Sequence, residues 1–81
     1  MRVTVKFLSL FRILAGVESE VLDVAEGTTV DRLSSILVQK YQDLPIESGA
    51  TFFMINGQLC GRNQVLAEGD QVRIFQLSAG G

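Results

Sequence analysis

The sequence has no histidine, no tryptophan, one proline and a single cysteine, Cys60. Without histidine there is no Ser-His-Asp or Cys-His catalysis and no zinc finger, and a lone cysteine closes no internal disulfide. Basic residues never stand side by side, and the formal net charge is only −2. Nucleic acid and anionic membrane surfaces both require clustered positive charge, so neither is an expected partner. Long apolar runs are missing as well. Between Lys6 and Arg12 the uncharged stretch is only Phe7 to Phe11. An export segment needs about seven to fifteen uninterrupted apolar residues and a membrane span about twenty, so the expected location is cytoplasmic. The remaining carboxylates, hydroxyls and lysines fall into no spacing that names a chemistry, so a self-contained enzyme is not expected.

What is present describes one small globular domain. The chain has 81 residues, 47% hydrophobic and 20% charged, values that belong to a folded protein. Folding at this size buries roughly 60% of the unfolded surface, enough for one core. No repeat, low-complexity tract or linker divides the sequence.

Alternation of Val3, Val5 and Phe7 with Arg2, Thr4 and Lys6 predicts a first strand over 2–10. A connection around 12–16 leads to a second strand over about 18–24, and the two should pair as a hairpin. Ala25-Glu26-Gly27 ends it. Thr28 or Thr29 can cap a helix, with Asp31 in its positive first turn. Val30, Leu33, Ile36, Leu37 and Tyr41 form one apolar stripe, with Asp31, Arg32, Ser35 and Gln39 largely off it. The helix should end near Tyr41, before Leu44-Pro45. Thr51 to Ile55 reads as a strand with Met54 and one of Phe52 and Phe53 in the core. Asn56-Gly57 is the favoured pair for a tight turn, with a short return strand over 58–61. Glu68-Gly69-Asp70 is another turn, and Gln71 to Leu77 is the last strand. The order β, β, α, β, β, β predicts an α+β fold: a mixed sheet of four to five strands over one main helix, the first and last strands side by side at its centre.

The functional signal lies at the end of the chain. Val72 and Ile74 point to one face of the last strand, and Arg73, Phe75 and Leu77 to the other. If the first pair faces the helix, Phe75 and Leu77 are left towards solvent as a docking surface, unless neighbouring segments cover them. The sequence closes on Ser78-Ala79-Gly80-Gly81. Two terminal glycines arise by chance in roughly 0.5% of chains. Lacking Cβ atoms, they can enter a channel too narrow for side chains. Four extended residues reach roughly 13 Å, enough to place the Gly81 carboxylate inside another protein's active site. The competing reading is an inert, loose terminus. The domain is accordingly expected to span 1–77, with 78–81 as a flexible tail.

The residues of five stretches carry a family resemblance. They are Val5 to Gly16 (with the pattern Phe-x-x-x-Phe-Arg-x-Leu-x-Gly from Phe7), Glu26 to Val30 with Leu33, Ile55-Asn56-Gly57, Leu66 to Phe75, and Gly80-Gly81. In this combination and order the chain resembles the ubiquitin-like sulfur carriers of the MoaD/ThiS family. It looks closest to MoaD, the small subunit of molybdopterin synthase.

The resemblance implies a β-grasp fold and a non-catalytic carrier that acts as cosubstrate of a sulfurtransferase complex. An E1-like adenylating enzyme would use ATP and Mg²⁺ to activate the Gly81 carboxylate, the carrier itself binding no cofactor or metal. A sulfur donor such as a cysteine desulfurase would supply the sulfur of the thiocarboxylate. The large subunit of molybdopterin synthase, or another sulfur-accepting enzyme, would receive the tail. Gly80 corresponds to the residue that clears the channel, and Phe75 and Leu59 match positions of the hydrophobic partner surface. One departure stands out. Members of the molybdopterin branch often carry Pro-Pro before the tail, where this chain has Gln76-Leu77. A carrier for thiamin, tungsten cofactor or another sulfurated product, or a ubiquitin-like modifier conjugated through Gly81, stays open. So does an interaction domain with an inert tail.

Two further readings are undecided at this level. Cys60 is either a sulfur relay or a half-buried structural thiol. Lys6, Arg62 and Arg73 either steer the tail to an acidic partner or are solvated strand charges.

Overall fold

A computed structural model describes residues 1–47 and 49–77. The elements follow as β1 (Arg2–Phe7), α1 (Leu10–Ala15), β2 (Ser19–Asp23), α2 (Val30–Lys40), β3 (Thr51–Ile55), β4 (Gln58–Cys60) and β5 (Gln71–Gln76). The five strands form one mixed sheet in the order β2-β1-β5-β3-β4. Strands β1 and β5 pair in parallel at its centre, with Thr4 opposite Gln71 and Phe7 opposite Ile74. The other pairings are antiparallel. A parallel central pair requires a crossover between its strands, and α2 lies on that connection.

The period-2 pattern of β1 and β5 settles which face is covered. Val3, Val5, Phe7, Val72 and Ile74 are fully or almost fully buried, and Phe53 of β3 joins them. Opposite them α2 contributes Val30, Leu33 and Leu37 from its apolar stripe. Each such side chain stabilises the fold by about 1.5–3 kcal/mol on burial. Ile36 and Tyr41, also on the predicted stripe, are only half-buried at its edge.

Thr29 caps α2 by accepting from the Arg32 amide at 3.2 Å. The Val30 and Asp31 amides instead donate to the carbonyls of Gln64 and Arg62, both at 2.9 Å. The first-turn donors that a helix leaves unpaired therefore strap the 61–66 segment onto α2. At the opposite end Tyr41 is the C-cap.

Two expectations are corrected. The first strand stops at Phe7 and does not run to Leu10. Ser9 takes a positive φ of 53° and ends the alternation, after which residues 10–15 wind into the short helix α1. Phe11 is driven fully into the core from this helix, and Gly16, left-handed at φ 78°, ends it with its amide donating to the Arg12 carbonyl at 3.0 Å. Six residues fall short of the roughly ten to twelve over which apolar spacing separates a helix from a connection. The second correction concerns β3. Phe53 is the core residue, whereas Met54 and Phe52 lie on the opposite face and are half-buried. Strict alternation admits only one of the two registers.

The tight turn forms as predicted, with φ of 51° at Asn56 and 87° at Gly57, the signature of a two-residue hairpin. Among the described residues no helix is long and apolar enough to cross a membrane.

Candidate functional site

The face of the sheet turned away from α2 is open among the described residues: Lys6, Val21, Leu59 and Arg73 on it are exposed. Its composition follows from register. Phe75 on β5 stands opposite Phe52 on β3, and Arg73 stands opposite Met54, which in turn faces Leu59 on β4. The rings of Phe52 and Phe75 stack with centroids 6.0 Å apart and planes 24° from parallel. That contact leaves Phe75 half-buried, so it is less free than its position in the strand alone predicts. Leu59 and Leu77 are 65% and 59% exposed. Phe52, Met54, Leu59 and Phe75 thus make one apolar patch, and Leu77 follows where the chain leaves β5.

The polypeptide exits beside that patch. The Leu77 amide donates to the Ala50 carbonyl at 3.3 Å, continuing the β5–β3 ladder by one residue. Proline at this position would have no donor for that bond. Gln76-Leu77 in place of Pro-Pro therefore keeps the chain on the sheet to residue 77. Gly80 and Gly81, with Ser78 and Ala79, lie outside the described residues.

The structure separates the three cations that the sequence grouped. Arg62 is engaged: its Nη1 and Nη2 grip Glu47 at 3.1 and 3.3 Å, Nε lies 3.7 Å from Asp31, and its guanidinium sits 5.6 Å from the Phe53 ring centre. Lys6 and Arg73 occur as register partners on the open face. Cys60 is half-buried, its thiol 3.7 Å from the Phe53 carbonyl. Burial pushes the Cys60 thiol pKa up, which keeps it in the unreactive protonated form at neutral pH.

Sequence reasoning missed an apolar patch on α1. Leu10, Ile13 and Leu14 project outward, Ile13 at 76% exposure, while Phe11 turns inward and Ala15 packs against the edge of the core. Because β1 runs parallel to β5 and the Leu8 amide donates to the Ile74 carbonyl, α1 sits at the end of the sheet where the tail departs. The spacing of three and four among these leucines and isoleucine was the available signal, hidden by reading the segment as a connection.

The sheet order, the central parallel pair and the packed helix define a β-grasp, ubiquitin-like domain. The ThiS family model matches residues 5–81, and this chain belongs to that family, a family of ubiquitin-like sulfur carriers and modifiers. Among solved structures, SAMP1 from Haloferax volcanii is 20% identical with a TM-score of 0.88, each chain covering 100% of the other. A Pyrococcus furiosus protein assigned as molybdopterin converting factor subunit 1 is 26% identical with a TM-score of 0.82, over 94% of this chain and 97% of that one. The complex of subunits 1 and 2 of molybdopterin-converting factor from Helicobacter pylori includes a chain 23% identical, with a TM-score of 0.71 and full coverage of both. No curated protein matches the sequence.

Proposed function

We propose that this chain is a sulfur carrier for molybdopterin biosynthesis, acting as the small subunit of a molybdopterin synthase, with the Gly81 carboxylate as its working group. The observation that carries the reading is the family match extending through Gly80-Gly81, on a chain whose last described residue, Leu77, leaves β5 beside an apolar face. Similarity to the Pyrococcus furiosus subunit favours the molybdopterin branch. The Helicobacter pylori complex supports a second subunit as the partner.

The chemistry asks for no catalytic residue on the carrier itself. A carboxylate is a poor electrophile. Attack of its oxygen on the α-phosphorus of ATP releases pyrophosphate and leaves an acyl-adenylate, whose AMP is a good leaving group. Sulfide sulfur, delivered by a donor enzyme, attacks the acyl carbon and expels AMP. The product thiocarboxylate is anionic at neutral pH and a soft nucleophile. Both steps occur in partner active sites, and the carrier contributes a slender tail and a docking face.

Intact mass after incubation with ATP, sulfide and the adenylating enzyme of the same organism tests the reading. The expected result is a gain equal to exchange of one oxygen for sulfur, located on Gly81 and lost when Gly81 is deleted. No mass change with an active adenylating enzyme would sink it.

A second reading is favoured by likeness to SAMP1, a small archaeal modifier protein. There the same adenylate is attacked by a target lysine. Protein-sized adducts that disappear on deletion of Gly81 would identify it.

A further inference from the structure

Four of the seven basic side chains, Arg2, Arg12, Lys40 and Arg62, hold a carboxylate within 3.7 Å. Lys6 and Arg73 have no ion pair among the described residues, although the chain carries nine acidic residues. They are also direct register partners on the two central strands, whose backbones lie about 4.8 Å apart. Continuing along the row, Lys6 faces Ser19 on one side, and Arg73 faces Met54 and then Leu59 on the other. No acid interrupts it. Two like charges therefore stand side by side and uncompensated in the middle of the sheet, an arrangement that opposes folding. It does nothing for the core, since both side chains are exposed.

We propose that Lys6 and Arg73 form a receptor for a carboxylate on the protein that docks against the open face, so that the partner combines an apolar surface with an Asp or Glu placed to reach both cations. This rests on reading the open face as the docking surface of a carrier. Arg73 is one register position from the apolar patch through Met54, so a partner covering Phe52, Phe75 and Leu59 removes water from around the pair. Dehydration strengthens the attraction, and the planar guanidinium can take a carboxylate through two parallel hydrogen bonds while the Lys6 ammonium acts as a point charge. In a chain that is acidic as a whole, one local positive spot fixes orientation more than it raises general stickiness. A nucleic-acid backbone is a poor fit, because two cations bordered by methionine and leucine make no continuous positive track.

The test uses the full chain, the adenylating enzyme of the same organism, and ATP–pyrophosphate exchange as readout. The double variant Lys6→Gln/Arg73→Gln should raise the KM for the carrier about tenfold, with kcat unchanged and a weaker dependence on salt. Its melting temperature should not fall, because a repulsion has been removed; a merely structural role predicts a fall. Arg32→Gln, which removes an exposed helix cation with no ion pair among the described residues, should leave KM unchanged. An unchanged KM in the double variant, or an equal rise in Arg32→Gln, overturns the proposal. Sedimentation showing a dimer that the double variant abolishes also overturns it, since the occupant is then a second copy. If the parent chain supports no exchange with an enzyme active on another carrier, the carrier reading fails and the receptor fails with it.

Discussion

The side-chain amide of Asn56 donates to the Asp70 carboxylate at 3.0 Å while its oxygen accepts from the Gln71 amide at 3.1 Å. The turn between β3 and β4 is thereby clasped to the start of β5. The second Asp70 oxygen accepts from the Ala67 amide at 2.8 Å, so a largely buried carboxylate organises three segments. Asp70→Ala leaves two donors unpaired and should destabilise the domain by about 2 kcal/mol, a drop of about 10 °C in melting temperature. Asp70→Asn, which keeps one acceptor oxygen, should fall between. A melting temperature for Asp70→Ala equal to the parent's would show that the clasp contributes nothing.

Phe75 and Leu59 differ in how much folding depends on them. Leu59 is largely exposed, so Leu59→Ala should change stability by no more than about 0.5 kcal/mol. Phe75→Ala loses the Phe52 stack, which contributes about 0.5–1.5 kcal/mol beyond burial. Both should weaken binding to the enzyme that handles the tail, Phe75→Ala by about 2 kcal/mol, the scale of an interface hot spot. Calorimetric titration paired with thermal melts separates the effects. Binding losses no larger than the stability losses would remove the docking role.

Tyr41 is the only tyrosine, so its titration is directly readable by ultraviolet absorbance. Burial, and then a 2.6 Å hydrogen bond to Glu20, push its pKa up to about 12. Burial alone would also raise Glu20, but hydrogen bonds from Lys40 and Tyr41 outweigh it and hold the carboxyl below its usual range. The folded state thus favours neutral Tyr41, whose stabilising effect is complete below pH 10, the ordinary tyrosine pKa, and is lost as pH rises towards 12. The Glu20 effect is complete above the ordinary carboxylate range and is lost on acidification. Tyr41→Phe should lower the melting temperature at pH 7 and flatten its decline between pH 10 and 12. An absorbance midpoint at an ordinary tyrosine pKa would refute the first half.

Cys60 is expected to be structural. Its raised thiol pKa and half-buried position predict slow reaction with thiol reagents at pH 7. Cys60→Ala should load sulfur on Gly81 at the parent's rate. A tenfold loss of loading by this variant, with an unchanged melting temperature, would make Cys60 the relay.

Much of the architecture was legible because it depends on local patterns. Alternation in β1 and β5 names the residues that face the core, a cap at Thr28 or Thr29 and the apolar stripe through Val30, Leu33 and Leu37 mark α2, and Asn56-Gly57 marks the tight turn. Each rests on backbone sterics or on period, which act within a few residues. The family stretches and the closing Gly80-Gly81 likewise required only order and spacing.

Other features required the folded chain. Whether β3 buries Phe53 or its two neighbours is a choice between registers one residue apart, and pairing with β5 makes it. Helix α1 exists because Phe11 finds a place in the core, a long-range contact worth more than six residues' own preference. The carboxylate clasp on Arg62 draws on residues 15 and 31 positions away in sequence. The juxtaposition of Lys6 with Arg73 spans most of the chain. Strand pairing sets such neighbours, and their sequence separation is too great for any local period to record. The sequence by itself therefore determined the fold class and the family, while tertiary structure decided which of its exposed charges and hydrophobes share one face.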